Sequence, residues 1–142
     1  MISQKNYELW AEYDHRVENP ATRDALNILR GAAAALDCFS VYPQIKGFLP
    51  DVRFYTVDES TQPFALIPNK QSLVLYIRKP AVDSGLYSLT AIQDSFDEVS
   101  DNGAEWTVRI IDTDDALSIV NLILKTWDLA ANETRSLHRH IG

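Results

Sequence analysis

Pro63-Phe64-Ala65-Leu66-Ile67-Pro68-Asn69-Lys70-Gln71-Ser72-Leu73-Val74-Leu75-Tyr76-Ile77-Arg78-Lys79-Pro80 is the stretch on which the fold turns. Two apolar runs rich in β-branched and aromatic residues flank the turn-forming tetrapeptide Pro68-Asn69-Lys70-Gln71, a pattern that predicts a β-hairpin. Pro63 and Pro80 cannot donate ladder hydrogen bonds, so both belong at strand ends. Helices before and after the hairpin must then cover one face of its sheet.

Working outward, Val52-Arg53-Phe54-Tyr55-Thr56-Val57 predicts a strand. The polar loop Asp58-Glu59-Ser60-Thr61-Gln62 joins it to the hairpin, giving a three-stranded antiparallel meander. Residues 39–50, punctuated by Pro43, Gly47 and Pro50, read as irregular. Upstream, residues 3–17 place Ile2, Leu9, Trp10, Tyr13 and Val17 on one helical face, with Ser3 as the cap. A second helix is expected from Pro20 to about Asp37, with Ala25, Ile28, Leu29, Ala32 and Leu36 as its stripe. Gly31 inside it suggests a close backbone approach, with the first helix as neighbour.

Downstream, residues 81–87 read as a loop, and Ser88 caps a short helix carrying Leu89, Ile92 and Phe96. Asp101-Asn102-Gly103 supplies a tight stop, and Glu105–Ile111 alternates as a fourth strand. Asp112 or Thr113 caps a last helix with Asp114 and Asp115 in its first turn, where the dipole favours negative charge. Its stripe of Ala116, Ile119, Val120, Ile123, Leu124 and Trp127 requires burial against the sheet. The fold class is therefore α+β: two N-terminal helices, an antiparallel sheet of about four strands, and a C-terminal helix on one face, in the order ααβββαβα. A single domain over 1–142 is expected, with a tail from about residue 133 free to fray.

The chain holds 46% hydrophobic and 23% charged residues, an ordinary globular mixture. Cys38 is the lone cysteine, which excludes an internal disulfide and suits a reducing compartment. With no charged-then-apolar leader and no run near the ~20 apolar residues of a bilayer span, the expectation is a cytoplasmic protein without a membrane. The formal charge of −7 repels nucleic acid and anionic membranes at long range and favours basic partner surfaces.

Strand alternation supplies the candidate site. With Phe54, Leu73, Leu75, Ile77, Trp106, Val108 and Ile110 inward, the other face displays Arg53, Tyr55, Tyr76, Arg78 and Arg109, with Lys79 at its edge. Cations interleaved with aromatic rings recognise anionic surfaces or stack on bases. Cross-strand aromatic–arginine pairs also simply stabilise a solvated face. The reading is a non-enzymatic interaction domain that binds a protein partner through this face, with nucleic acid as the alternative and an enzyme third.

The enzyme case has few residues to draw on. Glu8, Glu12 and His15 share a helical stripe but find no matching carboxylate and Glu-x-x-His set on the second helix. His138 and His140 are only two ligands, and two do not close a zinc site. Cys38 has no sequence-local base, and Asp112, Asp114 and Asp115 are explained by capping. No phosphate-binding, dinucleotide or hydrolase motif occurs, so neither a metal nor a cofactor is expected.

From Phe64 onward the chain resembles the YjbR-like (MmcQ-like) small proteins. The likeness lies in Phe64-Ala65-Leu66 entering a hairpin, Trp106-Thr107-Val108 on a late strand, and a closing helix with Trp127-Asp128-Leu129. It covers about the last half of the chain; the paired N-terminal helices and Ile77-Arg78-Lys79-Pro80 depart from it. The resemblance implies a compact α+β fold with a double-wing sheet, a shape also seen in some DNA-binding domains, and brings no catalytic residues.

Overall fold

The computed structural model describes residues 4–46, 49–58 and 60–141. Ser3 lies outside them, as do the side chains of Glu8, His138 and His140. Helices α1 (Gln4–Arg16) and α2 (Pro20–Ala35) lead into strands β1 (Phe39–Lys46), β2 (Leu49–Thr56), β3 (Phe64–Pro68) and β4 (Leu73–Ile77). Short helices α3 (Lys79–Asp83) and α4 (Leu89–Ser95) follow, then β5 (Val99–Asp101) and β6 (Trp106–Ile110). The chain closes with α5 (Thr113–Ile119), a π-helical turn (Val120–Leu124) and α6 (Lys125–Ile141). All strand pairs are antiparallel, in the order β1-β2-β3-β4-β6-β5.

This is the expected α+β class with six strands instead of about four. The strand missed at one edge, β1, pairs with β2 from Phe39↔Thr56 to Lys46↔Leu49. Pro43 sits within it, opposite Val52; an edge strand tolerates a residue that cannot donate to the ladder. The segment read as a loop after Pro80 begins with the single-turn helix α3, which buries Ala81. Beyond Asn132 the chain continues as α6 to Ile141.

The β3–β4 turn is where the helical layer is fastened. Lys70 O accepts from Glu18 N at 2.8 Å and Asn19 N at 3.1 Å, while Arg16 Nε donates to Pro68 O at 2.8 Å. Thr22, fully buried on α2, donates its hydroxyl to the carbonyls of Gln71 and Ile111. The connection between α1 and α2 is thus tied to the turn of the central hairpin by backbone groups that would otherwise lack partners. Asn19 caps α2 by accepting from Ala21 N at 3.0 Å, and Pro20 occupies the first turn.

The expected close approach at Gly31 is not found. That residue is exposed, a Cβ there would meet nothing within 4 Å, and α2 packs chiefly along α5. What joins α2 to α1 is Arg30, whose guanidinium lies 3.9 Å from the Trp10 ring centroid and 3.5 Å from Asp14. A long cation bridges the two helices where small residues were expected to let their backbones meet.

One core lies between the helices and the inner sheet face. Phe54, Phe64, Leu66, Leu73, Leu75, Ile77, Val108 and Ile110 point into it, as alternation predicts. Phe64 is its hub, in edge contact with Phe39, Phe54, Tyr87 and Trp127 at centroid separations of 5.8–6.4 Å. Tyr13 adds a buried hydroxyl that donates to Asp51 O at 2.9 Å.

Candidate functional site

The face of the sheet turned away from the helices carries all five side chains picked out by alternation. One row crosses every strand: Tyr42 on β1, Arg53 on β2, Ala65 on β3, Tyr76 on β4, Thr107 on β6 and Ser100 on β5. Arg109 stands beside Val74, Tyr55 beside Ser40, and Arg78 just beyond the end of β4. Among the described residues, the apolar side chains that the helices bury belong to the inner core, and Ala65 is not part of it. Ala65 is nevertheless only 8% exposed, because Arg53 and Tyr76 flank its small side chain. Tyr42 and Tyr55 meet edge to face at 5.7 Å. Lys79, expected at the edge of this face, instead pairs with Asp83 along α3 at 2.7 Å.

Each arginine on this face is already matched. Arg53 holds Asp51 Oδ2 through Nε and Nη2 at 3.3 and 3.2 Å, and its Nη1 reaches Gln62 Oε1 at 2.8 Å. The same oxygen accepts from Arg78 Nη1 at 3.0 Å, and Arg78 Nε bonds Glu105 at 3.2 Å. Arg109 bonds Glu98 at 3.0 Å. Three cations therefore face three carboxylates, and the surface is locally neutral. A continuous chain Asp51–Arg53–Gln62–Arg78–Glu105 fixes the guanidinium planes and removes most of the rotamer freedom that binding would otherwise have to quench. Sequence reading found the cations but missed their partners. Gln62 comes from a loop with no periodic signature, Asp51 lies just before the strand expected from Val52, and Glu105 shares the period of Thr107 and Arg109 without being singled out.

Among the described residues, the remaining candidates do not assemble into a catalytic group. Glu12 and His15 are exposed on α1, and among the described residues no three His, Cys, Asp or Glu side chains come together as a metal set. Asp112 caps α5, accepting from Asp115 N at 3.0 Å, while Asp115 accepts from Ile111 N at 2.9 Å. Cys38 is buried at the foot of a cleft of about 660 Å³ between α6 and the end of β2. The other walls are Val57, Leu86, Trp127, Ala130 and Ala131. Asp58 sits at the rim, where Oδ1 accepts from Thr56 Oγ1 at 2.7 Å, Ser60 N at 3.1 Å and Ser60 Oγ at 2.7 Å. The bond from Thr56, then those from Ser60, hold its carboxyl down at about 2.

Trp127 stands in this cleft because the helix is wound wide before it. The Tyr87 hydroxyl donates to Ile123 O at 2.7 Å and accepts from the Trp127 backbone N–H. It thereby occupies the place of the ordinary Ile123-to-Trp127 helical bond, and the π turn Val120–Leu124 accommodates the intruder. Burial, and then the neighbouring Cys38, push the Tyr87 phenol well above its usual range. A phenol whose folded-state pKa exceeds the unfolded value of about 10 adds stability below that pH and loses it as pH climbs beyond. Urea denaturation of the wild type should therefore give a midpoint that falls above pH 10. Tyr87→Phe should start about 1–3 kcal/mol less stable and fall less steeply there, because Ile123 O and Trp127 N lose their partner.

No family model, curated protein or solved structure matches the chain. That outcome neither supports nor opposes the likeness to YjbR-like proteins, and function rests on the site itself. No helix among the described residues is long and apolar enough to cross a membrane.

Proposed function

We propose that this domain is a non-enzymatic interaction module that engages a protein partner through the uncovered face of its sheet. The observation that carries the reading is the row Tyr42–Arg53–Ala65–Tyr76, laid across four strands, with Arg53 and the adjacent Arg78 already held in place. Tyrosine and arginine are the side chains most enriched at the energetic centres of protein interfaces, and rigid ones lose least on binding. Local neutrality favours a protein partner over a polyanion. A phosphate backbone would have to break the pairs with Asp51, Glu105 and Glu98 before gaining those cations, against an overall charge of −7.

Arg78→Glu sets an acid beside Glu105 and removes one of the two donors to Gln62 Oε1. Arg78 keeps about a third of its side chain in solvent, so the melting temperature should move little. In affinity capture from source cells, a protein retained by the wild type and by Leu117→Glu, a control on the far side, should be lost from Arg78→Glu. Equal retention by all three contradicts the proposal. Titration with DNA and RNA at low salt should be flat; binding that weakens steeply with added salt would favour the nucleic-acid alternative.

A further inference from the structure

The cleft beneath α6 has a construction that the sheet-face function does not use. Its walls are apolar, and two of its lips, Val57 and Leu86, are large hydrophobic side chains left 57% and 39% exposed. Its volume of about 660 Å³ lies within the range of sites that enclose small organic molecules. The innermost wall is rigid. Trp127 is braced edge-on by Phe64 at 5.8 Å, and its backbone is tied to the Tyr87 hydroxyl at the π turn. A π turn widens a helix at some loss of regular bonding and recurs at functional positions; here it fixes where the indole stands.

Asp58 is the one charged side chain among the described residues that line the cleft. Three hydrogen bonds, from Thr56 Oγ1, Ser60 N and Ser60 Oγ, fall on Oδ1 and orient the carboxylate. Thr56, Ser60, Ser84 and Thr134 add only neutral polar groups. An apolar hollow with a fixed negative charge at its mouth selects for charge as well as shape. Among the described lining residues an anionic ligand meets repulsion with no compensating cation, and a neutral one is offered only hydroxyl groups.

We infer that the cleft lined by Trp127, Leu86 and Val57 binds small organic cations, with the apolar body inside and the ammonium group on the Asp58 carboxylate. This site is separate from the sheet face and does not depend on the reading of it. The Arg78→Glu variant should bind such a ligand as the wild type does.

Three probes of equal length separate the contributions: 4-phenylbutylamine, 4-phenylbutanol and 4-phenylbutyrate. Calorimetric titration of the wild type should give binding in the order amine, alcohol, carboxylate, with the amine at least about tenfold tighter than the alcohol. In a proton–nitrogen correlation spectrum, one of the three indole signals should shift with the amine, and Trp127→Phe should identify it by deletion. Asp58→Asn keeps an oxygen for Thr56 and Ser60 but removes the charge. It should bring the amine down to the affinity of the alcohol and leave the alcohol unchanged. Equal affinity of the three probes for the wild type would overturn the inference, as would tenfold selectivity for the amine that survives Asp58→Asn. Absence of any amine binding at millimolar concentration would overturn it as well.

Discussion

Phe64→Ala should lower the unfolding free energy by about 3–5 kcal/mol, the range for removing a large aromatic side chain from a packed core. Phe64 has no exposed surface and meets four other rings, two from the sheet and two from the C-terminal half. Phe39 and Phe54 hold β1 and β2, while Tyr87 and Trp127 hold the segment around the π turn. Collapse into the void is resisted from both sides, which argues for the upper part of the range. For a chain of 142 residues this corresponds to a fall in melting temperature of roughly 10–17 °C. Ile67→Ala on the same strand, whose side chain lies on the open face, should lower it much less. Equal losses at the two positions would mean that the sheet faces are assigned the wrong way round.

Arg53→Ala should be the most costly change on the open face, at about 2–3 kcal/mol, near the lower end for breaking a buried ion pair. Asp51 is only 8% exposed, its Oδ1 has no hydrogen-bond partner among the described residues, and Arg53 holds Oδ2. Truncating the arginine strands that carboxylate in a poorly hydrated place and also removes one of the two donors to Gln62. The double variant Asp51→Asn with Arg53→Ala removes both charges and leaves the same packing loss as Arg53→Ala alone. It should recover more than half of the loss, and the interaction term of a double-mutant cycle should exceed about 1 kcal/mol. If Arg53→Ala and the double variant are equally unstable, the damage comes from lost packing and the ion pair is incidental. Denaturant unfolding of the four proteins of the cycle settles which.

Much of this face could be read from residue order alone. Alternation along Leu73–Ile77 and Trp106–Ile110 has only one arrangement that buries the aliphatic side chains, and that arrangement puts Tyr76 and Arg109 outside. The hairpin turn was equally plain, since Pro68-Asn69-Lys70-Gln71 separates two unbroken apolar runs. Residues 39–46 also alternate, Phe39, Val41, Pro43 and Ile45 against Ser40, Tyr42, Gln44 and Lys46, yet the proline outweighed that period in the reading. An edge position removes the objection to Pro43, but only the sheet order reveals which strand is the edge. The Tyr87 insertion had no sequence signal, because the widened turn depends on a hydroxyl arriving from 36 residues away. Gly31 shows the reverse error: a run of small residues reads like a close contact whether or not a neighbour comes near.

The central question is whether a protein covers the tyrosine–arginine face in the cell. A photo-cross-linking amino acid in place of Tyr76, with the same residue in place of Leu117 as control, measures this directly. A discrete protein adduct from position 76, absent from position 117 and suppressed by Arg78→Glu, is the predicted result. No adduct from position 76, or the same adducts from both positions, would contradict it.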